Sequence, residues 1–263
     1  MAKRKLNKNS SLEVMVVDHC NLNCRSCDHC SPILKPWLYD IEAFKKDLAI
    51  LKKNFRPLKL IKFLGGEPFL NKNLLEFLSF TRKMYPRAHI KILTNGTLLP
   101  KDSDPFWEIS NKLRIEILIS WYLPLGLNKF EKYSRLNKRL DFFRVTTFFE
   151  GILFKNPLEK SSYKICKLKD NCTTLRDGII YKCSEGYSCK KLSDFFNLDY
   201  PLGNMSIDIR KQFNGNLYKN FRKKEAEQCK YCTYQFRDII RKDWNQSEKK
   251  PEEWVLDNEI INQ

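Results

Sequence analysis

Cys20, Cys24 and Cys27 stand in the spacing C-x3-C-x2-C, directly after the apolar run Leu12-Glu13-Val14-Met15-Val16-Val17. Three thiolates on one short loop can hold three irons of a cubane [4Fe-4S] cluster and leave the fourth iron open to an outside molecule. A metal with an open position is a place for chemistry. Cys30 follows, so four thiols fall within eleven residues. A tetrahedral zinc knuckle is the competing use of such thiols, but zinc favours two C-x2-C pairs held apart by a longer spacer. His19 and His29 read as loop residues rather than catalytic bases.

Some forty residues on, Leu60-Ile61-Lys62-Phe63-Leu64 runs into Gly65-Gly66-Glu67-Pro68. Two glycines let a backbone approach a ligand closely, and a carboxylate suits an ammonium group. In this order and spacing the two motifs resemble those of the radical S-adenosylmethionine (SAM) enzymes. The resemblance implies that Cys20, Cys24 and Cys27 hold a [4Fe-4S] cluster whose open iron is chelated by the methionine part of SAM. It also implies that Gly65, Gly66, Glu67 and Pro68 line the cofactor, with Asn95 of Thr94-Asn95-Gly96-Thr97 as a further contact. One departure is Ser26, where many members of the family carry an aromatic residue.

A second cysteine set lies in the C-terminal half. Asp177-Gly178 between two β-rich runs signals a hairpin whose turn pairs Arg176 with Ile179 and so brings Cys172 opposite Cys183. Cys189 follows, and Cys229-Lys230-Tyr231-Cys232 adds a C-x2-C pair. A zinc site and a redox dithiol are the plainer readings, though the thioredoxin-like βαβ setting is missing. The pattern is similar to the twitch domain, a shortened SPASM domain of radical SAM enzymes. That likeness implies a second [4Fe-4S] cluster on Cys183, Cys229 and Cys232 plus either Cys166 or Cys172; the likeness leans to Cys166, the hairpin register to Cys172. Four thiolates leave no open iron, which suits electron transfer. Roles for Cys30 and Cys189 stay open.

These residues need elements to position them. Apolar Ile41, Phe44, Leu48 and Leu51 mark a helix over 39–54 ended by Pro57. Strands are expected over 58–64, 88–93, 114–120 and 140–149, and helices over 74–84, 106–113 and 127–140. Alternation of this kind predicts an α/β fold of parallel βα units, with ligands at the C-terminal strand ends. The family resemblance implies an open, partial (βα)6-type barrel over 12–155. It is expected to follow a basic N-terminal tail (1–11) and precede a small β-hairpin/helix cluster-binding domain (156–242) and a polar C-terminal tail (243–263). Gln235 to Trp244 reads as helix-prone. Ser120, Tyr122 and Arg144 stand where a substrate could be met, although Arg144 reads equally well as an exposed-face residue.

The chain's 263 residues, 42% hydrophobic and 13% aromatic, describe a folded globular protein. No stretch reads as a signal peptide or a membrane span, so a cytoplasmic location is expected, and ten cysteines there point to metal rather than disulfides. The net charge of +17 is spread along the chain, which argues against nucleic acid. Its functional reading is a small-molecule substrate that is phosphorylated or nucleotide-linked. The resemblance implies an oxidoreductase that uses a 5′-deoxyadenosyl radical, fed by a reductant such as flavodoxin or ferredoxin. The layout is similar to that of family members that dehydrogenate an aminocyclitol alcohol, with the second cluster as electron acceptor. The alternatives are peptide modification, against which only about a dozen residues precede the first strand, and a zinc-stabilised nucleic-acid-binding protein.

Overall fold

β1 (Ser11–Val17) is buried along its whole length. A parallel strand covered on both faces has no solvent side to alternate toward, hence its almost unbroken apolar run. The computed structural model describes residues 11–54, 58–122 and 128–262. The basic stretch 1–10, Pro57 and Leu127 lie outside the described residues, and Ser11 belongs to β1. After β1 come α1 (Ile41–Asn54), β2 (Leu60–Gly65), α2 (Leu74–Met84), β3 (His89–Thr94), α3 (Phe106–Lys112), β4 (Ile115–Trp121), α4 (Asn128–Leu136) and β5 (Leu140–Arg144). The first two helices are amphipathic: α1 buries Phe44, Leu48 and Leu51, and α2 buries Leu74, Phe77 and Leu78. Phe44 and Phe77 meet with ring centroids 4.7 Å apart. Each such ring, fully buried, contributes ~1.5–3 kcal/mol.

The chain then forms β6 (Thr147–Phe149), β7 (Leu153–Phe154), α5 (Leu168–Asn171), β8 (Thr174–Arg176), β9 (Ile179–Tyr181), α6 (Ser184–Phe196), β10 (Ser206–Asp208), α7 (Gly215–Lys223), β11 (Arg241–Asp243) and β12 (Val255–Leu256). One eight-stranded sheet runs β10-β9-β8-β1-β2-β3-β4-β5. β1 to β5 are parallel, and β8 pairs in parallel with β1. The partial barrel thus has six parallel strands, but the sixth comes from the cysteine-rich C-terminal part. The hairpin also takes the expected form. Asp177 and Gly178 both have positive φ, 46° and 73°, and Arg176 pairs with Ile179. Arg210 fastens this turn to the barrel, reaching Asp177 at 2.8 Å and buried Asp47 of α1 at 2.8 Å.

Three expectations need correction. The strand expected over 140–149 is two strands: β5 is the sheet edge, and after Val145 the chain leaves it so that β6 can pair antiparallel with β11. The helix-prone segment 235–244 is a 3-10 turn (Thr233–Phe236) followed by β11, because that pairing outweighs weak helix propensity. The stretch 243–263 is no loose tail: Trp254 is fully buried, and β12 pairs with β7.

Candidate active site

The cysteine loop leaves the C-terminal end of β1 and is stitched to the end of β2. Gly66 N donates to Val17 O (3.0 Å) and Glu67 N to His19 O (3.1 Å). A Cβ on Gly65 would stand 2.0 Å from Val17 O, and one on Gly66 2.0 Å from His19 O and 2.8 Å from Cys20 N. The two glycines therefore serve first to let β2 close onto the loop that carries the cysteines. Glu67 lies at the same junction. Its carboxylate is fully buried and accepts from Thr94 Oγ1 (2.7 Å), Phe69 N (3.1 Å) and Asn95 N (2.8 Å). Burial pushes its pKa up against those bonds. Through these bonds it splices the ends of β2 and β3. Pro68 is buried and opens the 3-10 turn after it.

Asn95 closes the arrangement from β3. Its Nδ2 donates to Cys20 Sγ (3.5 Å) and to Asn21 Oδ1 (3.0 Å), while its Oδ1 accepts from Thr97 N (2.9 Å). Leu22 N also donates to Cys20 Sγ (3.4 Å), and the Trp244 indole Nε1 to Cys24 Sγ (3.2 Å). Burial pushes the Cys20 thiol up to about 11 and Cys24 to about 12, Cys24 being raised further by the charges of Cys27 and Cys20. Buried thiols of this kind keep their protons until a metal displaces them, and the N–H donors then suit sulfurs that carry negative charge. The three cysteines fit a [4Fe-4S] cluster on that ground. Cys27 Sγ, an Asp28 oxygen and a His29 ring nitrogen also lie within 4.8 Å of one another, with His29 Nδ1 2.9 Å from Asp28. Cys30 is buried in an apolar cluster with Cys189, Leu192 and Trp254.

The second set gathers around Glu185 and Arg237. Cys183 feels the charges of Cys232 and Cys229, and both of those feel Cys166. Burial raises all four thiols, Cys229 to about 11. Burial raises Cys172 too, with Glu13 next and Glu185 also acting on it, while Lys62 lowers it. The hairpin register is the expected one, but the ladder stops at Thr174 and Tyr181, and Cys183 turns away as the N-cap of α6. Cys166, Cys183, Cys229 and Cys232 form the group, all as free thiols, and four thiols fit a closed cluster.

Between the two sets lies β6, whose neighbouring side chains point to opposite faces. Phe148 packs on Tyr122 (centroids 5.1 Å apart), and Phe149 lies 4.3 Å beneath the Arg237 guanidinium. Tyr122 is hydrogen-bonded to Ser120 and faces Asp28, Cys24 and Cys27; burial pushes its hydroxyl well above the usual tyrosine range. Arg237 is ion-paired with buried Glu185 and feels Cys232 and Asp28, so it links the surroundings of both cysteine sets. Arg144 lies at the C-terminal end of β5 opposite Trp121, and it is exposed, which matches the surface reading of it.

Sequence reasoning missed the C-terminal strap. Arg25 N donates to Asn245 O, Ser247 N to Asn23 O, Ser26 Oγ to Glu253 O and Trp254 Nε1 to Cys27 O. Buried Glu150, just after β6, pairs with Arg25 (3.0 Å) and Lys242 (2.7 Å). Ser26 is thus a hydrogen-bonded anchor where an aromatic was expected. The two tryptophans in a polar stretch were the available signal.

Residues 14–117 match the radical SAM superfamily. GTP 3′,8-cyclase of Clostridium acetobutylicum is 26% identical over 136 residues, covering 49% of this chain and 41% of that protein. The 7,8-dihydro-6-hydroxymethylpterin dimethyltransferase of Methanocaldococcus jannaschii is 33% identical over 88 residues, 32% of this chain and 17% of that protein. The chain spans less than half the length of these curated relatives. Among solved structures, BtrN in complex with AdoMet (SAM) and 2-DOIA has a TM-score of 0.55 at 19% identity, covering 89% of this chain and 87% of BtrN. Native anSMEcpe with bound AdoMet has a TM-score of 0.52 at 14% identity, with coverages of 84% and 88%. At these identities the likeness is one of fold. No helix among the described residues is long and apolar enough to cross a membrane.

Proposed function

We propose, from the premise that this chain belongs to the radical SAM superfamily, that it oxidises a small sugar-like or cyclitol alcohol by hydrogen abstraction. A [4Fe-4S] cluster on Cys20, Cys24 and Cys27 with bound SAM supplies the 5′-deoxyadenosyl radical, and a second on Cys166, Cys183, Cys229 and Cys232 is the electron acceptor. The chain's own part is to hold these groups in place. Asn95, Leu22 N and Trp244 donate to the sulfurs of the first set. Glu67, with Gly65 and Gly66, fixes the cysteine loop against β2 and β3. Tyr122 keeps its proton, so it acts as a donor toward a substrate oxygen, seconded by Ser120. Phe148 and Phe149 set apolar rings against Tyr122 and Arg237.

The observation that carries this reading is the Glu185–Arg237 pair, whose charges act on Cys232 of the second cysteine set, with Arg237 also acting on Asp28 beside the first. The layout is similar to that of 2-deoxy-scyllo-inosamine dehydrogenase, which oxidises an aminocyclitol alcohol. The net charge of +17 suits an acidic reductant such as flavodoxin or ferredoxin and a phosphorylated or nucleotide-linked substrate.

The test is iron, sulfide and zinc per chain after anaerobic reconstitution, then incubation with SAM, reductant and a panel of carbon-deuterated cyclitols and sugar alcohols. About eight irons, with deuterium carried into 5′-deoxyadenosine and one carbonyl formed per SAM cleaved, is the expected result. About four irons would remove the electron acceptor, and zinc without iron would overturn the radical chemistry altogether.

A further inference from the structure

At the N-terminal ends of β3, β4 and β5, opposite the strand ends that carry the cysteine loop, Arg82, Arg87, His89, Arg114, Glu116 and Arg139 line a cavity of about 220 Å³. Glu116 is the one carboxylate in the lining, and it is already engaged: its oxygens lie 2.8 Å from His89 Nδ1 and 2.8 Å from Lys91 Nζ. Arg82 is fixed by backbone carbonyls, Leu113 O at 2.8 Å, Ala88 O at 2.7 Å, Pro86 O at 3.1 Å and Arg114 O at 3.2 Å. Arg114 has a φ of +53°, a left-handed backbone that a residue with a Cβ adopts at a cost, and its Nη2 donates to Pro86 O at 3.0 Å. Arg87 and Arg139 are exposed, and neither side chain has an ion pair or hydrogen bond among the described residues.

Four guanidinium groups around one engaged carboxylate repel one another, and Arg82 feels the charges of Arg114 and Arg139. An anion in the cavity relieves that repulsion. Guanidinium forks match the paired oxygens of a phosphoryl group; Arg87 and Arg139 offer the forks, and the charges of the backbone-anchored Arg82 and Arg114 behind them favour more than one negative charge. The pocket has room for one or two phosphoryl groups among the arginines, and it is open to solvent, so that the rest of an ester would lie outside it.

We propose that this cavity is a binding site for a phosphate-bearing anion with one or two phosphoryl groups, separate from the cysteine mouth and independent of the reaction performed there. Inorganic pyrophosphate and the terminal phosphates of a diphosphate ester share this chemistry. The experiment is isothermal titration of the full chain with pyrophosphate, a nucleoside diphosphate and sulfate, in potassium chloride of matched ionic strength. Pyrophosphate is expected to bind one per chain and at least tenfold more weakly to the Arg87→Gln/Arg139→Gln double variant. Both positions are exposed, so circular dichroism and iron content should not change. A nucleoside diphosphate that binds equally well would assign the ester, and a weaker one the inorganic ion. Equal affinity in the variant, or pyrophosphate heats no larger than those of the salt control, would overturn the proposal.

Discussion

The first cysteine set is drawn from one loop, whereas the second is gathered from a short turn before α5, the N-cap of α6 and two 3-10 turns. The sulfurs of the first receive N–H donors from Leu22, Asn95 and Trp244; those of the second face a buried ion pair. A loop with N–H donors suits a cluster that must stay open and reducible. A closed group of four beside compensating charges suits one that only takes and passes electrons. The largest expected effects divide the sets. Cys24→Ala should lose reductive cleavage of SAM and about half of the iron. Cys232→Ala should lose the other half while still making 5′-deoxyadenosine, with formation of the carbonyl product abolished. If both variants lost cleavage equally, the division of labour would be wrong.

Gly66→Ala tests whether the first set depends on the splice with β2. The added methyl meets backbone, His19 O and Cys20 N, which cannot swing aside. Overpacking of ~1–3 kcal/mol should lower the melting temperature by roughly 2–10 °C. Iron should be lost from the first set only, read by iron analysis alongside a Cys24→Ala control. A variant with full iron and unchanged melting would show that the loop does not need this contact.

The second set is sharpened by two single substitutions. Cys166→Ala should lose about half of the iron, whereas Cys172→Ala should keep all of it, since Cys166 acts on Cys229 and Cys232 while Glu13 is the strongest charge on Cys172. Iron per chain and the spin signal of the reduced protein check this. The reverse outcome would mean that the hairpin ladder extends to Cys172–Cys183 when metal binds.

What could be read from sequence was what short range determines. The buried run of β1, the Asp177-Gly178 turn and the spacing of Cys20, Cys24 and Cys27 each act over a few residues. Cys166 and Cys172 could not be separated, because the register could be read at Arg176 and Ile179 but not where the ladder would stop. The bonds of Glu67 to Thr94 and Asn95 were out of reach of the sequence, because they arise only when β2 and β3 lie side by side. The strap was least legible of all. Trp244 meets Cys24 across 220 residues of chain and Trp254 meets Cys27 across 227, and no periodicity in a polar segment encodes such contacts.

Trp244→Phe makes the smallest of these changes and tests the contrast in sulfur surroundings most directly. An aromatic ring stays, while the indole nitrogen that lies 3.2 Å from Cys24 Sγ is removed with the five-membered part of the indole. A hydrogen bond to a cluster sulfur stabilises the more negative, reduced state, so its loss should make the midpoint potential of the first cluster more negative. For a bond worth ~1 kcal/mol, the one-electron shift is on the order of 40 mV. The potential of a cluster on the second cysteine set should stay where it was. Iron content should match that of the unaltered chain, because Cys24 itself remains. A shift in both potentials would make the strap a general support of the fold. No shift in either would mean that Trp244 contributes packing alone, and the difference between the two cysteine sets would then rest on Leu22 N and Asn95.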